Sequence, residues 1–226
     1  MKHRIIDNIT ADYYEIDEPV TNDFFDKAQY IFVDSLSEDI DRINNLKNWG
    51  FEFHERMILT SIFTGRLEQN LTRFVKYDVS EGKEISDELK EIAVRAYPAD
   101  RRFHINRYYD EKNAKNFIIS YLDELSKEDL IIYSCKHHQK MIGYTILKEV
   151  SNGIFENLLG AVMPEYQSRG AAFALYAGML ISMKEKGYKE YTGWISTKNI
   201  ASLNLHIALG GVKFSVSKDR YVKRLL

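Results

Sequence analysis

The residue types and spacing that point most directly to chemistry lie in Val162-Met163-Pro164-Glu165-Tyr166-Gln167-Ser168-Arg169-Gly170-Ala171-Ala172, which reads as a strand end running into a long helix. A helix begins with four backbone N–H groups that have no partner within it, at the positive end of its dipole. Where the first turn carries only glycine and alanine, those donors are bare and suit a phosphate or pyrophosphate. Gly170 permits close approach of the anion, while Ala171 and Ala172 keep side chains out of its way. The stretch is not a P-loop, because no Gly-Lys-Ser/Thr follows, and it lacks the two further glycines of the dinucleotide fingerprint. A permissive Gln-x-x-Gly-x-Ala turns up by chance in roughly one chain of this length in five to ten. Its place at a strand–helix junction is what carries the reading.

Other groupings are weaker. Asn199 opens the segment running to Gly210-Gly211, where asparagine is a natural helix N-cap. The pair His137-His138 with Cys135 offers too few metal ligands and falls in a hairpin, so it reads as a turn and no metal is expected. A lone cysteine cannot form an internal disulfide. Tyr108, Tyr109 and Trp194 could stack on a sugar or base, but among 15 tyrosines aromatic residues discriminate little.

The elements that must position these residues are clearest in the second half. A helix is expected over 111–125, then strands over Leu130–Cys135, Met141–Val150 and Ile154–Met163, the last ended by Pro164. A long helix follows over Ser168–Lys186, closed by Gly187, then a strand over Tyr188–Ser196 and a helix over Asn199–Leu209. Val212–Val222 reads as a final extended pair. In the first half, short strands are expected at Tyr13–Ile16 and Tyr30–Val33, with strands at Phe51–Phe63 and Thr72–Val79. Ser35 and Glu38 have capping-box spacing ahead of a helix closed by Trp49-Gly50, and Ser86 caps a helix ending before Pro98. The order predicts an α/β mixed sheet with helices on its faces. Division near residue 95 gives a smaller N-terminal α/β domain, 1–95, and a second domain, 96–226.

Composition narrows the function classes. The 226 residues are 45% hydrophobic and 28% charged, as in an ordinary globular protein. The longest apolar run, Phe173–Ile181, is about half of the roughly 20 residues a membrane span requires. The N-terminus shows no apolar signal region, which predicts a cytosolic protein. A net charge of −2 suggests neither a nucleic-acid nor a membrane partner, yet it conceals an asymmetry. Residues 1–95 carry 12 basic and 20 acidic side chains, whereas 96–226 carry 19 and 13. The basic half is the one expected to handle an anion.

Together the two segments resemble the GNAT superfamily of N-acetyltransferases. Gln167, Gly170 and Ala172 match its pyrophosphate-binding Q/R-x-x-G-x-G/A loop, and Asn199, Ser202, His206 and Gly210 match its later Asn-x-x-Ala/Ser helix. The likeness covers residues 100–226 well. The chain is further similar to the nucleotide-sugar branch typified by dTDP-fucosamine acetyltransferases, through Arg102-Phe103, the helix at 113–125, Phe32-Val33-Asp34 and Gly50-Phe51. These features are much less specific.

The resemblance implies a GNAT fold with a mostly antiparallel sheet, acetyl-CoA as co-substrate and direct transfer to a small-molecule amine, here an amino sugar linked to a nucleotide. Strand 158–162 is then expected to splay from strand 191–196. Backbone groups near Ala161 and Val162 would hold pantetheine, and Gln167, Ser168, Arg169, Gly170, Ala171, Ala172, Asn199 and Ser202 would hold the rest of the cofactor. His206 stands where a tyrosine acts as general acid in the sugar acetyltransferases, so it is a candidate acid or a packing residue. Glu156 is the candidate base, and Arg102 a candidate ligand for a sugar-nucleotide phosphate. Acetylation of another amine, or a non-catalytic acyl-CoA-binding module, remain the alternatives. Phe214–Leu226 either pairs across a homodimer axis or completes its own sheet.

Overall fold

The computed structural model describes residues 10–13, 30–67, 71–97, 111–210 and 212–224. Its described strands are β1 (Thr10–Tyr13), β2 (Tyr30–Leu36), β3 (Glu52–Phe63), β4 (Asp78–Gly82), β5 (Ile131–His137), β6 (Lys140–Ser151), β7 (Ile154–Val162), β8 (Glu190–Ser196) and β9 (Val212–Arg224). The helices are α1 (Ile40–Asn48), α2 (Asp87–Ala96), α3 (Glu111–Leu125), α4 (Ala171–Glu185) and α5 (Ile200–Leu209). The strands form one sheet in the order β1-β2-β9-β3-β8-β7-β6-β5-β4. Only β1/β2 and β7/β8 pair in parallel; the other neighbours are antiparallel. The expected mixed, mostly antiparallel sheet flanked by helices is what the chain forms.

Two apolar layers clamp the sheet. On one side Leu175, Met179, Leu180 and Met183 of α4 pack with Tyr133, Cys135, Phe155 and Tyr191. Leu89 and Ile92 of α2 and Ile118, Leu122 and Leu125 of α3 pack with Ile132, Tyr144 and Ile146. A third cluster joins Ile43 and Leu46 of α1 to Ile31 and Val33 of β2.

The helix boundaries follow their caps. Ser86 Oγ accepts from Leu89 N at 3.2 Å, as expected. The capping-box expectation at Ser35 is corrected: β2 continues through Ser35, and Asp39 is the N-cap, its Oδ1 accepting from Arg42 N at 3.0 Å. The expected strand at 72–79 begins only at Asp78, because Leu71–Phe74 forms a 3-10 turn whose Phe74 packs on Phe173 of α4. The expected final pair is one long strand. β9 lies between β2 and β3 and completes its own sheet: residues 218–222 pair on both sides, whereas 212–214 pair with β3 alone.

Candidate functional site

β7 and β8 pair only from Ile154↔Glu190 to Asn157↔Gly193. Beyond that point they part. Residues 159–162 stay bonded to β6 alone, and Trp194–Ser196 to β3 alone. A cavity of about 440 Å³ lies at the fork, lined by groups that include Tyr97, Glu156, Asn157, Tyr176, Trp194 and His206. Two carbonyls of the unpaired stretch of β7 are held by side chains: Gly160 O accepts from Tyr97 Oη at 2.6 Å, and Val162 O from Gln167 Nε2 at 3.2 Å. Ala161 and Val162 thus sit on the splayed strand, and Gln167 ties the following turn to its end.

That turn differs from the expected helix start. Pro164–Arg169 is a 3-10 segment, and α4 begins at Ala171. Proline at the first position and a left-handed Gly170 (φ +79°, ψ +10°) make the break, since an L side chain is strained there. Gly170 is the N-cap of α4 and no side chain caps the helix. A Cβ at Gly170 would meet nothing within 4 Å, so approach to this helix end is open. Ser168 and Arg169 are exposed beside it, and the Arg169 guanidinium lies 5.7 Å from the centre of the Tyr166 ring.

A chain of polar side chains crosses the fork. Thr145 Oγ1 donates to Asn157 Oδ1 at 3.1 Å, and Asn157 Nδ2 donates to Tyr176 Oη at 2.9 Å and to Tyr191 Oη at 3.0 Å. Tyr191 Oη meets His206 Nε2 at 3.0 Å, and His206 Nδ1 meets the Ser202 carbonyl at 2.8 Å. Because that carbonyl can only accept, Nδ1 carries the imidazole proton. Burial lowers the His206 pKa and keeps the ring neutral. The ring is 1% exposed, and both of its nitrogens are engaged, Nδ1 with Ser202 O and Nε2 with Tyr191 Oη. His206 thus holds Tyr191. Asn199 is a plain N-cap, its Oδ1 accepting from Ser202 N at 3.2 Å.

Charged groups form another wall of the cavity. Asp34 of β2 pairs with Arg220 (Nε–Oδ1 2.8 Å) and with Lys218 (2.7 Å), both from β9. Burial alone would raise the Asp34 pKa, but these two cations hold it below the ordinary value. The Lys218 ammonium also lies 4.3 Å from the Trp194 ring centre. Glu156 faces the same space from β7, and burial raises its pKa against the opposing pull of Lys218 and Lys148. Arg102, Tyr108 and Tyr109 lie outside the described residues. Tyr176, Asn157, Lys218 and Arg220 were not singled out from sequence, since they carry no local motif, and Asp34 entered only as part of the Phe32-Val33-Asp34 segment.

No cluster of three or more potential metal ligands occurs among the described residues. Burial pushes the Cys135 thiol up to about 12, which leaves it unreactive. Among the described residues no helix is long and apolar enough to cross a membrane.

No curated protein matches the chain in sequence. Solved structures share its fold. A functionally unknown conserved protein from Staphylococcus epidermidis superposes with a TM-score of 0.62 at 15% identity, covering 88% of this chain and 73% of that one. A GCN5-related N-acetyltransferase from Sphaerobacter thermophilus gives 0.58 at 10% identity, covering 86% and 59%. A GCN5-related glucosamine N-acetyltransferase region of a fungal multi-domain GH3 β-N-acetylglucosaminidase gives 0.61 at 14% identity, covering 88% of this chain and 26% of that protein. The profile described as Acetyltransferase (GNAT) family matches residues 87–210, from the start of α2 to the end of α5 and so over both the turn at Gly170 and the fork. This chain belongs to the acetyltransferase (GNAT) family.

Proposed function

We propose that the protein transfers acetyl from acetyl-CoA to the amine of an amino sugar, carried on a nucleotide. The observation that supports this best is the parting of β7 and β8 at Asn157/Gly193, with the uncapped α4 start beyond the splayed strand and a polar cavity at the fork. The fit is chemical as well as spatial: bare N–H groups at Gly170–Ala172 for the pyrophosphate, and a strand at Ala161–Val162 that lacks a neighbour on one side for the pantetheine amides. Gln167, Ser168, Arg169, Asn199 and Ser202 border this path.

The amine enters as an ammonium and must lose a proton before its lone pair attacks the thioester carbon. Glu156 accepts that proton, directly or through one water; a carboxylate whose pKa is raised by burial is suited to this near neutral pH. Backbone N–H groups of the splayed strand stabilise the oxyanion. Most of the rate enhancement comes from holding the two reactants together. The cavity suits a sugar because Trp194 offers an apolar face beside the carboxylates of Asp34 and Glu156, and the fungal neighbour is named for glucosamine. Lys218 and Arg220, already paired with Asp34, are the cations that a nucleotide diphosphate would meet here. In this reading residues 1–95 contribute an acceptor-side wall through β2 and β3, and 96–226 the cofactor machinery.

Thermal shift against CoA, acetyl-CoA, glucosamine and dTDP- or UDP-linked amino sugars tests the proposal, followed by thiol release with each ligand that binds. Binding at a hundred times Kd adds about 2.7 kcal/mol. A shift with acetyl-CoA and turnover of an amino sugar support the reading. Turnover only with polyamines or peptide amines would replace the acceptor, and absence of any shift with CoA species would remove the function.

A further inference from the structure

We propose that Tyr176 of α4 hands a proton to the sulfur as CoA leaves, so that the acid comes from a different helix than position 206; this rests on the acetyltransferase reading above. The hydrogen-bond order around Asn157 carries the assignment. Ser202 O only accepts, so His206 Nδ1 is the donor and Nε2 the acceptor, and Tyr191 must give its hydrogen to Nε2. Asn157 turns Oδ1 toward the Thr145 hydroxyl and Nδ2 toward both phenols, donating to each. Tyr191 has therefore committed its hydrogen to His206, whereas Tyr176 receives one from Asn157 and has its own hydrogen left to turn either to Tyr191 Oη or to the cavity.

Position agrees with proton count. Tyr176 lines the cavity, and its hydroxyl is bonded to Asn157, one of the last pair of residues before the strands part. Its oxygen also presses against the splayed strand: a Cβ on Gly160 would stand 2.7 Å from Tyr176 Oη. The absence of a side chain at 160 is what lets the phenol reach this strand, and Tyr97 fixes the same residue through its carbonyl.

The step balances. When the tetrahedral adduct collapses, the C–S bond breaks and its electron pair stays on sulfur, which takes the Tyr176 proton and leaves as the thiol. The phenolate formed is stabilised by Asn157 Nδ2–H and regains a proton from the adduct nitrogen through water. With the first amine proton taken by Glu156, the products are an amide, CoA thiol and one proton released.

A readout independent of the acceptor tests this. A donor at the sulfur lowers the pKa of bound CoA by stabilising its thiolate. We expect the thiolate absorbance of CoA bound to Tyr176→Phe to appear at least one pH unit higher than with the wild type, while CoA affinity at pH 7 stays within threefold. Gly160→Ala, which displaces the phenol without removing it, should shift the titration in the same direction. Turnover of any accepted amine by Tyr176→Phe should fall at least 100-fold. Identical thiolate titrations in wild type and both variants overturn the assignment of Tyr176 and leave the acetyltransferase reading standing. Failure of the folded wild type to bind CoA overturns both.

Discussion

At Gly170 two demands coincide: a left-handed backbone and open space in front of the α4 donors. Gly170→Asp therefore places a negative charge where the pyrophosphate is proposed to sit, and CoA affinity measured by calorimetry should drop at least 100-fold. Gly170→Ala tests the backbone alone, and its added strain of about 1–2 kcal/mol should lower Tm with much of the affinity kept. At Glu156 the expected change is in rate. Glu156→Gln should reduce kcat by about 10²–10⁴-fold and abolish the acidic limb of the pH–rate profile. In the wild type that limb lies above the range of a solvated carboxylate, because burial raises the pKa. The loop was readable from sequence because its chemistry is local, contained in consecutive residues around one glycine. Tyr176 and Asn157 were not, since their meaning depends on Thr145, Tyr191 and His206 meeting from β6, β8 and α5.

Among the elements, α5 gives the clearest stability prediction. His206 bonds its own helix at Ser202 and the neighbouring strand at Tyr191, and His206→Phe would leave the buried Tyr191 hydroxyl hydrogen without its acceptor. A loss of about 1–3 kcal/mol is expected in chemical denaturation. The same residue makes stability depend on pH. Its folded pKa lies below the unfolded value of about 6.5, so the unfolded chain binds the extra proton first. Stability should fall as pH drops below about 6.5 toward the folded pKa, and His206→Gln should flatten that slope. His54, whose pKa burial also lowers, contributes in the same sense and will remain in the variant. Helix ends were legible because caps are local: Ser86 and Asn199 each bond an amide three residues ahead. The exception at Ser35 arose because pairing of β2 with β9 extended the strand over a residue that could otherwise have capped.

For the whole molecule, the sheet order was the least legible property, because the pairing of β9 with β2 and β3 joins residues at least 150 positions apart. Alternating apolar residues identify a strand but not its neighbours. This long-range pairing is reinforced on both sides of β9. Arg56 of β3 grips Asp219 through Nε at 2.6 Å and Nη2 at 2.8 Å, with Ser37 Oγ adding a bond to Oδ1 at 2.8 Å. The Arg56 bonds hold the Asp219 pKa below its usual value, so this tie persists at neutral pH and weakens only as pH falls through that lowered value. Asp219→Asn should cost about 2 kcal/mol at pH 7 and less in acid, measured by urea unfolding at both pH values.

The position of β9 also has a consequence for biosynthesis. β2 and β3 leave the ribosome well before the strand that must lie between them, so until the last segment is made each has an exposed hydrogen-bonding edge. The helices and strands from 78 to 209 can meanwhile settle on one another. A nascent or truncated chain ending before residue 212 would therefore hold the Gly170 turn while lacking Lys218 and Arg220 in the cavity wall. Such a chain would also be prone to pair its orphaned edges with those of other chains.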